Sequence, residues 1–255
     1  MGSVLKIDLR RSKILEKLKR DGTVSVSELA QELGATPVTI RSDLDALEAE
    51  GYLIRVQGGA VQDRRSAASG LRARGVTAEK QAIARAVAER VGDGDTLFIN
   101  SGTTMLAVAE ALYSCKNLNV VTNSLAVAAE LGAVPGFRVI LLGGEINARY
   151  GFSYGSDAQE QLSHYQADWA IMSLDGIEPQ AGLTTYHAEE ATINRMMIQR
   201  SKQLIVAADH KKVGKKGFFR FSEVGERILL VTDEKANREA LDALQDAGVE
   251  IALTK

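Results

Sequence analysis

The chain has 255 residues, 45% hydrophobic and 25% charged, which is enough for one large domain or a large domain plus a small one with a proper core. A formal net charge of −2 gives no overall basic signature, so binding to nucleic acid has to come from local geometry. No segment approaches the roughly 18 uninterrupted apolar residues of a spanning helix. The N-terminus lacks a signal-peptide core, so the expectation is a soluble, cytoplasmic protein with no membrane contact. The single cysteine, Cys115, has no intrachain partner, and three histidines without carboxylate spacing make a poor metal site; no metal and no cofactor are expected.

In chain order, Ile7, Ile14, Leu15 and Leu18 recur at helical spacing and the helix stops near Asp21-Gly22. Ser25-Val26-Ser27-Glu28 fits a capping box for a second helix over Val26–Leu33. After Gly34-Ala35, Thr36-Pro37 reads as a cap followed by proline at the first helical position, where its missing N–H costs nothing. The third helix runs to about Glu50 with Ile40, Leu44 and Leu47 inward. Gly51 ends it, and Tyr52 to Val61 predicts a two-stranded hairpin turning at Gln57-Gly58-Gly59.

Two short helices about a tight turn make a helix-turn-helix, and the hairpin makes it winged. The outward residues at the start of its second helix are Pro37, Val38, Thr39, Arg41 and Ser42, with Thr36 as cap. Arg41 can donate two hydrogen bonds to guanine, and Thr39 and Ser42 can reach bases or phosphates. Arg55 and the backbone at Gly58-Gly59 are placed to track phosphates from the wing. The competing reading is a helical docking module whose Arg41 pairs with Asp45 at i,i+4 spacing. Residues 1–65 carry eleven Lys+Arg against ten Asp+Glu. The cations Arg10, Arg11, Lys13, Lys17, Lys19 and Arg20 crowd the first helix, however, an arrangement that leaves a positive face.

A linker is expected over Asp63–Gly75, rich in arginine and small residues, dividing a domain at 7–62 from one at 77–255. Strand-like runs then recur at Thr96–Asn100, Leu118–Thr122, Phe137–Leu142, Asp168–Leu174, Gln203–Ala208, Ile228–Thr232 and Val249–Leu253. Helical patterns lie between most of them, at Ala78–Val91, Thr103–Tyr113, Leu125–Leu131, Ala188–Arg200 and Glu234–Ala247. Such alternation predicts an α/β domain with a mostly parallel sheet covered on both faces, with ligands beyond the carboxyl ends of the strands.

Those ends read Asn100-Ser101-Gly102-Thr103-Thr104, Thr122-Asn123-Ser124, Gly143-Gly144-Glu145, Asp175-Gly176 and Asp209-His210-Lys211-Lys212. Small, hydroxyl and glycine residues at a helix start let amides and the helix dipole face an anion. The turn at Asn100 is a plausible phosphate cradle with Thr103 and Thr104 as added donors, but not a nucleotide P-loop, because no GKS or GKT follows.

TVSVSELAQELGATPVTIRSDLDALEAEGYLIRVQGGAV resembles the N-terminal signature of the DeoR family of bacterial transcriptional regulators, and the resemblance extends to the C-terminus. It implies a winged helix-turn-helix joined to an effector domain related to ribose-5-phosphate isomerase that responds to a phosphorylated sugar or similar metabolite. It further implies that Lys80 and Lys212 supply positive charge to the anion and that Asp175 and Glu189 meet sugar hydroxyls. The family usually has two arginines where this chain has Arg41-Ser42, and an aspartate where it has Asn100.

The expected function is a homodimeric or homotetrameric repressor of a carbohydrate catabolic operon, bound to double-stranded operator DNA and relieved by a sugar phosphate. The alternative is a sugar-phosphate isomerase or deaminase, which would need a general base and acid beside the substrate carbon, with Asp175 and Glu189 as the candidates.

Overall fold

A computed structural model describes residues 2–49, 52–61 and 76–255, with the side chains of residues 2–8, 19 and 49 not described. The expected linker falls outside the described residues except for Val76, and the end of the third helix at Glu50-Gly51 lies outside them as well. The chain divides into two compact units, Met1–Arg65 and Ser66–Lys255.

In the first unit α1 (Gly2–Asp21), α2 (Val26–Leu33) and α3 (Pro37–Ala49) close on Ile14, Leu18, Leu29, Ile40, Leu44 and Leu47, all at most 2% exposed. The Ser25 hydroxyl accepts from the Glu28 amide at 3.2 Å to start α2, and Gly34, at φ +59°, ends it. The wing is larger than the expected hairpin. β1 (Thr23–Ser25), not foreseen, pairs antiparallel with β3 (Gly59–Val61), which also pairs with β2 (Ile54–Val56), in the order β1-β3-β2. A three-residue strand has too little length for alternation to show in sequence.

In the second unit seven parallel strands lie in the order β15-β14-β12-β9-β4-β5-β6. Their ranges are β4 (Thr96–Ile99), β5 (Asn119–Thr122), β6 (Arg138–Leu141), β9 (Ala167–Met172), β12 (Ser201–Ala207), β14 (Ile228–Asp233) and β15 (Glu250–Thr254). Each corresponds to one of the seven expected runs. Because successive side chains alternate faces, the strands feed two cores. Leu97, Ile99, Ile171, Ile205 and Val231 pack with α4 (Ala78–Ala88), α5 (Thr103–Ala111) and α6 (Leu125–Leu131). Phe98, Ala170, Met172, Leu204 and Leu230 pack with α7 (Ser156–Ser163), α8 (Ala188–Gln199) and α9 (Arg238–Asp246).

Sequence reading missed α7 and two small sheets. One is the hairpin of β7 (Glu145–Asn147) with β8 (Phe152–Tyr154); the other is the antiparallel set of β10 (Gly176–Glu178), β11 (Gly182–Thr185) and β13 (Phe219–Ser222). Both are built from strands of three or four residues, and both rise from the carboxyl side of the main sheet. The order of that sheet reverses at β4, with β5 and β6 on one side and β9, β12, β14 and β15 on the other. A crevice therefore forms where β4 and β9 diverge into their loops.

Gly59 is required by proximity: a Cβ there would stand 2.0 Å from the Val24 carbonyl oxygen. Gly59→Ala is expected to cost the first unit roughly 2–4 kcal/mol by forcing β1 and β3 apart. Thermal unfolding of the full chain should show an early transition for the small unit with the larger one unmoved.

Candidate functional site

In the first unit the start of α3 stands clear of its core. Thr36 caps the helix, its Oγ1 accepting from the Thr39 amide at 3.2 Å and lying 2.8 Å from the Thr39 hydroxyl. Pro37, Val38, Arg41 and Ser42 are exposed, Val38 to 72%, which is unusual for an apolar side chain. Arg41 makes no ion pair among the described residues. Asp45, its proposed helical partner, instead meets Arg55 Nε at 3.0 Å.

That contact changes the picture of the wing. Arg55 also donates from Nη1 to the Gly59 carbonyl at 2.9 Å, so its guanidinium ties β2 to α3 before it can reach outward. Gly58 is exposed at the tip with φ +81°, whereas Gly59 is buried inside the β1-β3 pairing and offers no outward amide. The positive face expected on α1 is reduced as well. Asp43, 3% exposed, takes both Arg10 and Arg11, the latter at 3.2 Å. Lys17 pairs with Glu32, and Arg20 with Asp21 at 2.7 Å. Pairing of this kind neutralises cations that a count of charges treats as free.

In the second unit several of the expected residues converge on the crevice beside β4. Gly102 precedes α5 with φ +126°, and a Cβ there would lie 2.5 Å from the Ser173 hydroxyl, so this turn needs glycine on both counts. The Ser173 hydroxyl donates to the Ser101 carbonyl at 2.7 Å, binding the β4 and β9 loops together. Among the described residues no side chain caps α5, which leaves its first amides to the crevice. Lys80, in the first turn of α4, donates from Nζ to the Thr103 hydroxyl at 2.9 Å. Burial pushes the Lys80 ammonium below the usual lysine range, opposed by Asp209 and reinforced by Lys212 and Lys211. Thr104 is buried in the same turn.

On the floor is an acidic cluster. Asp175 accepts from the Thr185 hydroxyl at 3.1 Å and the Tyr186 amide at 3.0 Å, and Lys212 Nζ lies 3.3 Å from its other oxygen. The second carboxylate is Glu190, not the expected Glu189. Glu189 is exposed, whereas Glu190 accepts from the Ser101 hydroxyl at 2.9 Å and the Thr185 hydroxyl at 2.8 Å. Burial first, and the Asp175 charge second, push the Glu190 carboxyl up to about 7. A sequence signal for it exists: Glu190 stands three, four and seven residues before Ile193, Asn194 and Met197, all buried, and so shares their face of α8.

Other expected residues serve the fold. Asn100, fully buried, donates from Nδ2 to the Ser173 carbonyl at 3.0 Å and to Asn194 Oδ1 at 3.2 Å, and accepts the Ser173 amide at 2.9 Å. Its amide is engaged at both ends, where the resemblance implied an acid accepting sugar hydroxyls. Thr122 Oγ1 accepts the Ser124 amide, and the Ser124 hydroxyl caps α6. The Gly143 amide is taken by Gln161 at 2.9 Å, so Gly143-Gly144 forms the turn into β7 and not an anion cradle. Gly176 begins β10, buried below the Lys215 carbonyl. Asn123 is mixed: its Nδ2 donates to the Ser153 carbonyl, while its Oδ1 is buried without a donor.

Two residues outside the expected set complete this side. Arg149, in the turn between β7 and β8, has Nε and Nη2 buried with no acceptor among the described residues. The His187 ring, just before α8, packs at a tilt against Tyr150 with centroids 4.4 Å apart. Burial holds His187 below its usual range, so it is neutral at pH 7.

Two expectations follow. Because the folded state holds the Glu190 proton up to about pH 7 while an unfolded chain releases it near 4.5, the contribution of this group to stability is fully present below 4.5 and is lost as pH rises to 7. Glu190→Gln should flatten that decline, seen as Tm against pH from 4 to 8; an unchanged slope places the titration elsewhere. Asn100→Asp sets a carboxylate oxygen against the Ser173 carbonyl, and should cost about 1–3 kcal/mol at pH 7 by chemical denaturation, less at pH 4.

Comparison with known proteins agrees with this division. A model of the DeoR-like helix-turn-helix domain matches residues 10–66, and one of the DeoR C terminal sensor domain matches residues 76–234. The HTH-type transcriptional repressor GlcR of Bacillus subtilis (strain 168) is 35% identical over 246 residues, 95% of this chain and 94% of that one. The Glycerol-3-phosphate regulon repressor of Escherichia coli (strain K12) is 33% identical over 96% of this chain and 98% of its own. Among solved structures, the full-length sorbitol operon regulator SorC from Klebsiella pneumoniae aligns with 92% of this chain and 97% of its own, at 12% identity and a TM-score of 0.42. With a helix-turn-helix that leaves its recognition helix exposed and a sensor domain behind it, the chain belongs to the DeoR family and is a DNA-binding transcriptional regulator, not an enzyme.

Proposed function

We propose that the protein represses a carbohydrate catabolic operon, holding double-stranded operator DNA through residues 7–62 and letting go when a phosphorylated sugar enters residues 77–255, with 63–76 as the linker. The exposed start of α3 supports the first half. Thr36, Pro37, Val38, Thr39, Arg41 and Ser42 face the major groove, Arg41 reading a base edge and Val38 meeting a thymine methyl. Gly58, at the wing tip, lies along a phosphate. Because one such helix reads only a half-site, the working form is a homodimer or homotetramer on a two-fold operator, in the cytoplasm.

The observation that carries the second half is the pairing of Lys80 with Thr103 at the uncapped start of α5. A dianionic phosphate there gains the helix dipole, the amides after Ser101 and Gly102, the hydroxyls of Thr103 and Thr104, and two lysines, Lys80 and Lys212. Asp175 and Glu190 lie next to it and accept sugar hydroxyls. A relative named for glycerol 3-phosphate, a phosphorylated polyol, supports the same ligand class. The ligand acts by binding the DNA-free arrangement more tightly than the DNA-bound one.

Gel-shift titration on DNA upstream of the chain's own operon tests both halves. Arg41→Ala should weaken binding by about 1–3 kcal/mol and relax sequence preference. Lys80→Ala should hold DNA as well as the natural chain yet no longer release it to sugar phosphates. An absence of retardation at low salt overturns the DNA half, and retardation unmoved by any sugar phosphate overturns the sensor half.

A further inference from the structure

The Arg149 guanidinium is charged and can donate five hydrogen bonds, yet two of its buried nitrogens find no acceptor among the described residues. They are not an arbitrary two. Nε–H and Nη2–H form the side edge of the guanidinium plane, where the two donors run parallel and match the two oxygens of a carboxylate or phosphate. The plane is steadied from beside, its Cζ lying 5.5 Å from the Tyr150 ring centroid. Leaving such an edge buried and unpaired is costly, so the arrangement suits a ligand that brings the acceptor with it.

The fold brings the hairpin that carries this edge to the crevice. The β7-β8 hairpin is fastened over the carboxyl end of β5 by the bridge between Ser124 and Phe152 and by the Ser153 amide on the Asn123 carbonyl at 2.8 Å. The Tyr150 ring against His187 joins the hairpin to the start of α8, next to Thr185 and Tyr186, which hold Asp175. Lys80 and Thr103 stand at the end of the neighbouring strand β4. His187 feels the charges of both Arg149 and Asp175, and Asp175 in turn meets Lys212, whose charge acts on Lys80, so Asp175 links the Arg149 side of the crevice to the Lys80 side.

We propose that Arg149 is the docking point for a second oxyanion, carboxylate or phosphate, at the far end of a phosphorylated five- or six-carbon polyol whose first phosphate sits at Lys80. The proposal rests on the phosphate reading given above. It makes the preferred effector a molecule anionic at both ends, with hydroxyls in the middle for the acids.

Two matched pairs of probes test it by calorimetric titration of the full chain: fructose 6-phosphate with fructose 1,6-bisphosphate, and glucitol 6-phosphate with 6-phosphogluconate. Within each pair only the far anion differs. In at least one pair the doubly anionic member should bind about tenfold tighter or more, as a charge-assisted bidentate contact gives, and which pair does so tells phosphate from carboxylate. Arg149→Gln should bring the two members to within about twofold, with the affinity of the singly anionic one kept. Arg149→Lys, which retains the charge and loses the parallel edge, should fall between, and it decides the matter if the glutamine variant does not fold. Equal affinities within both pairs, a preference that survives both variants, or no binding by either doubly anionic probe overturns the proposal. Singly anionic probes that bind Lys80→Ala as well as the natural chain would instead overturn the phosphate site at Lys80, whatever the Arg149 variants do.

Discussion

The contact between the loops after β4 and β9 is the constraint on which the sensing unit depends. Gly102 bends away at a positive φ because the Ser173 hydroxyl occupies the space its Cβ would fill. In return Ser173 holds the Ser101 carbonyl, and its own amide and carbonyl are held by Asn100. With both ends of that turn fixed, α5 starts at a set distance from the β9 loop, and its free amides, Lys80 and the Asp175–Glu190 pair share one crevice. A loose turn here would let the helix start drift away from Lys80 and the Asp175–Glu190 pair.

Charge in the DNA-reading unit follows a comparable economy. Most of the cations of α1 whose side chains are described are engaged on Asp43, Glu32 or Asp21, and Arg55 is engaged on Asp45. These pairs fasten α1, α3 and the wing into one small unit. They also leave the start of α3, with Arg41 unpaired among the described residues, as its distinctive exposed surface. Affinity built on few free cations has a shallow salt dependence.

Much of the framework was legible in the sequence. Ser25, Gly34 and the Thr36-Pro37 start stand where cap chemistry puts them, and seven apolar runs became seven parallel strands. Legibility stopped where elements were short or where a side chain's direction depended on distant residues. The hairpin β7-β8 and the strands β10, β11 and β13 are too brief to show a period, yet they roof the crevice and carry Arg149 and Thr185. Of two adjacent glutamates the outward one was expected, because carry-over by resemblance tells which segment contributes and not which neighbour points in.

Local chemistry along the chain, meaning caps, turn residues and hydrophobic period, was sufficient by itself to determine two domains, a winged helix-turn-helix and a parallel α/β sensor, and the loops that line the crevice at the strand ends. Those signals act over a few residues, so they survive in any sequence window. Tertiary structure alone decided that Asn100 is spent on Ser173 and Asn194, that Glu190 faces Ser101, and that two Arg149 nitrogens are buried without an acceptor among the described residues. Each of these contacts joins parts of the chain that lie far apart in sequence. Its partner is chosen by strand order and by what neighbouring elements leave unsatisfied, not by the residues on either side of it.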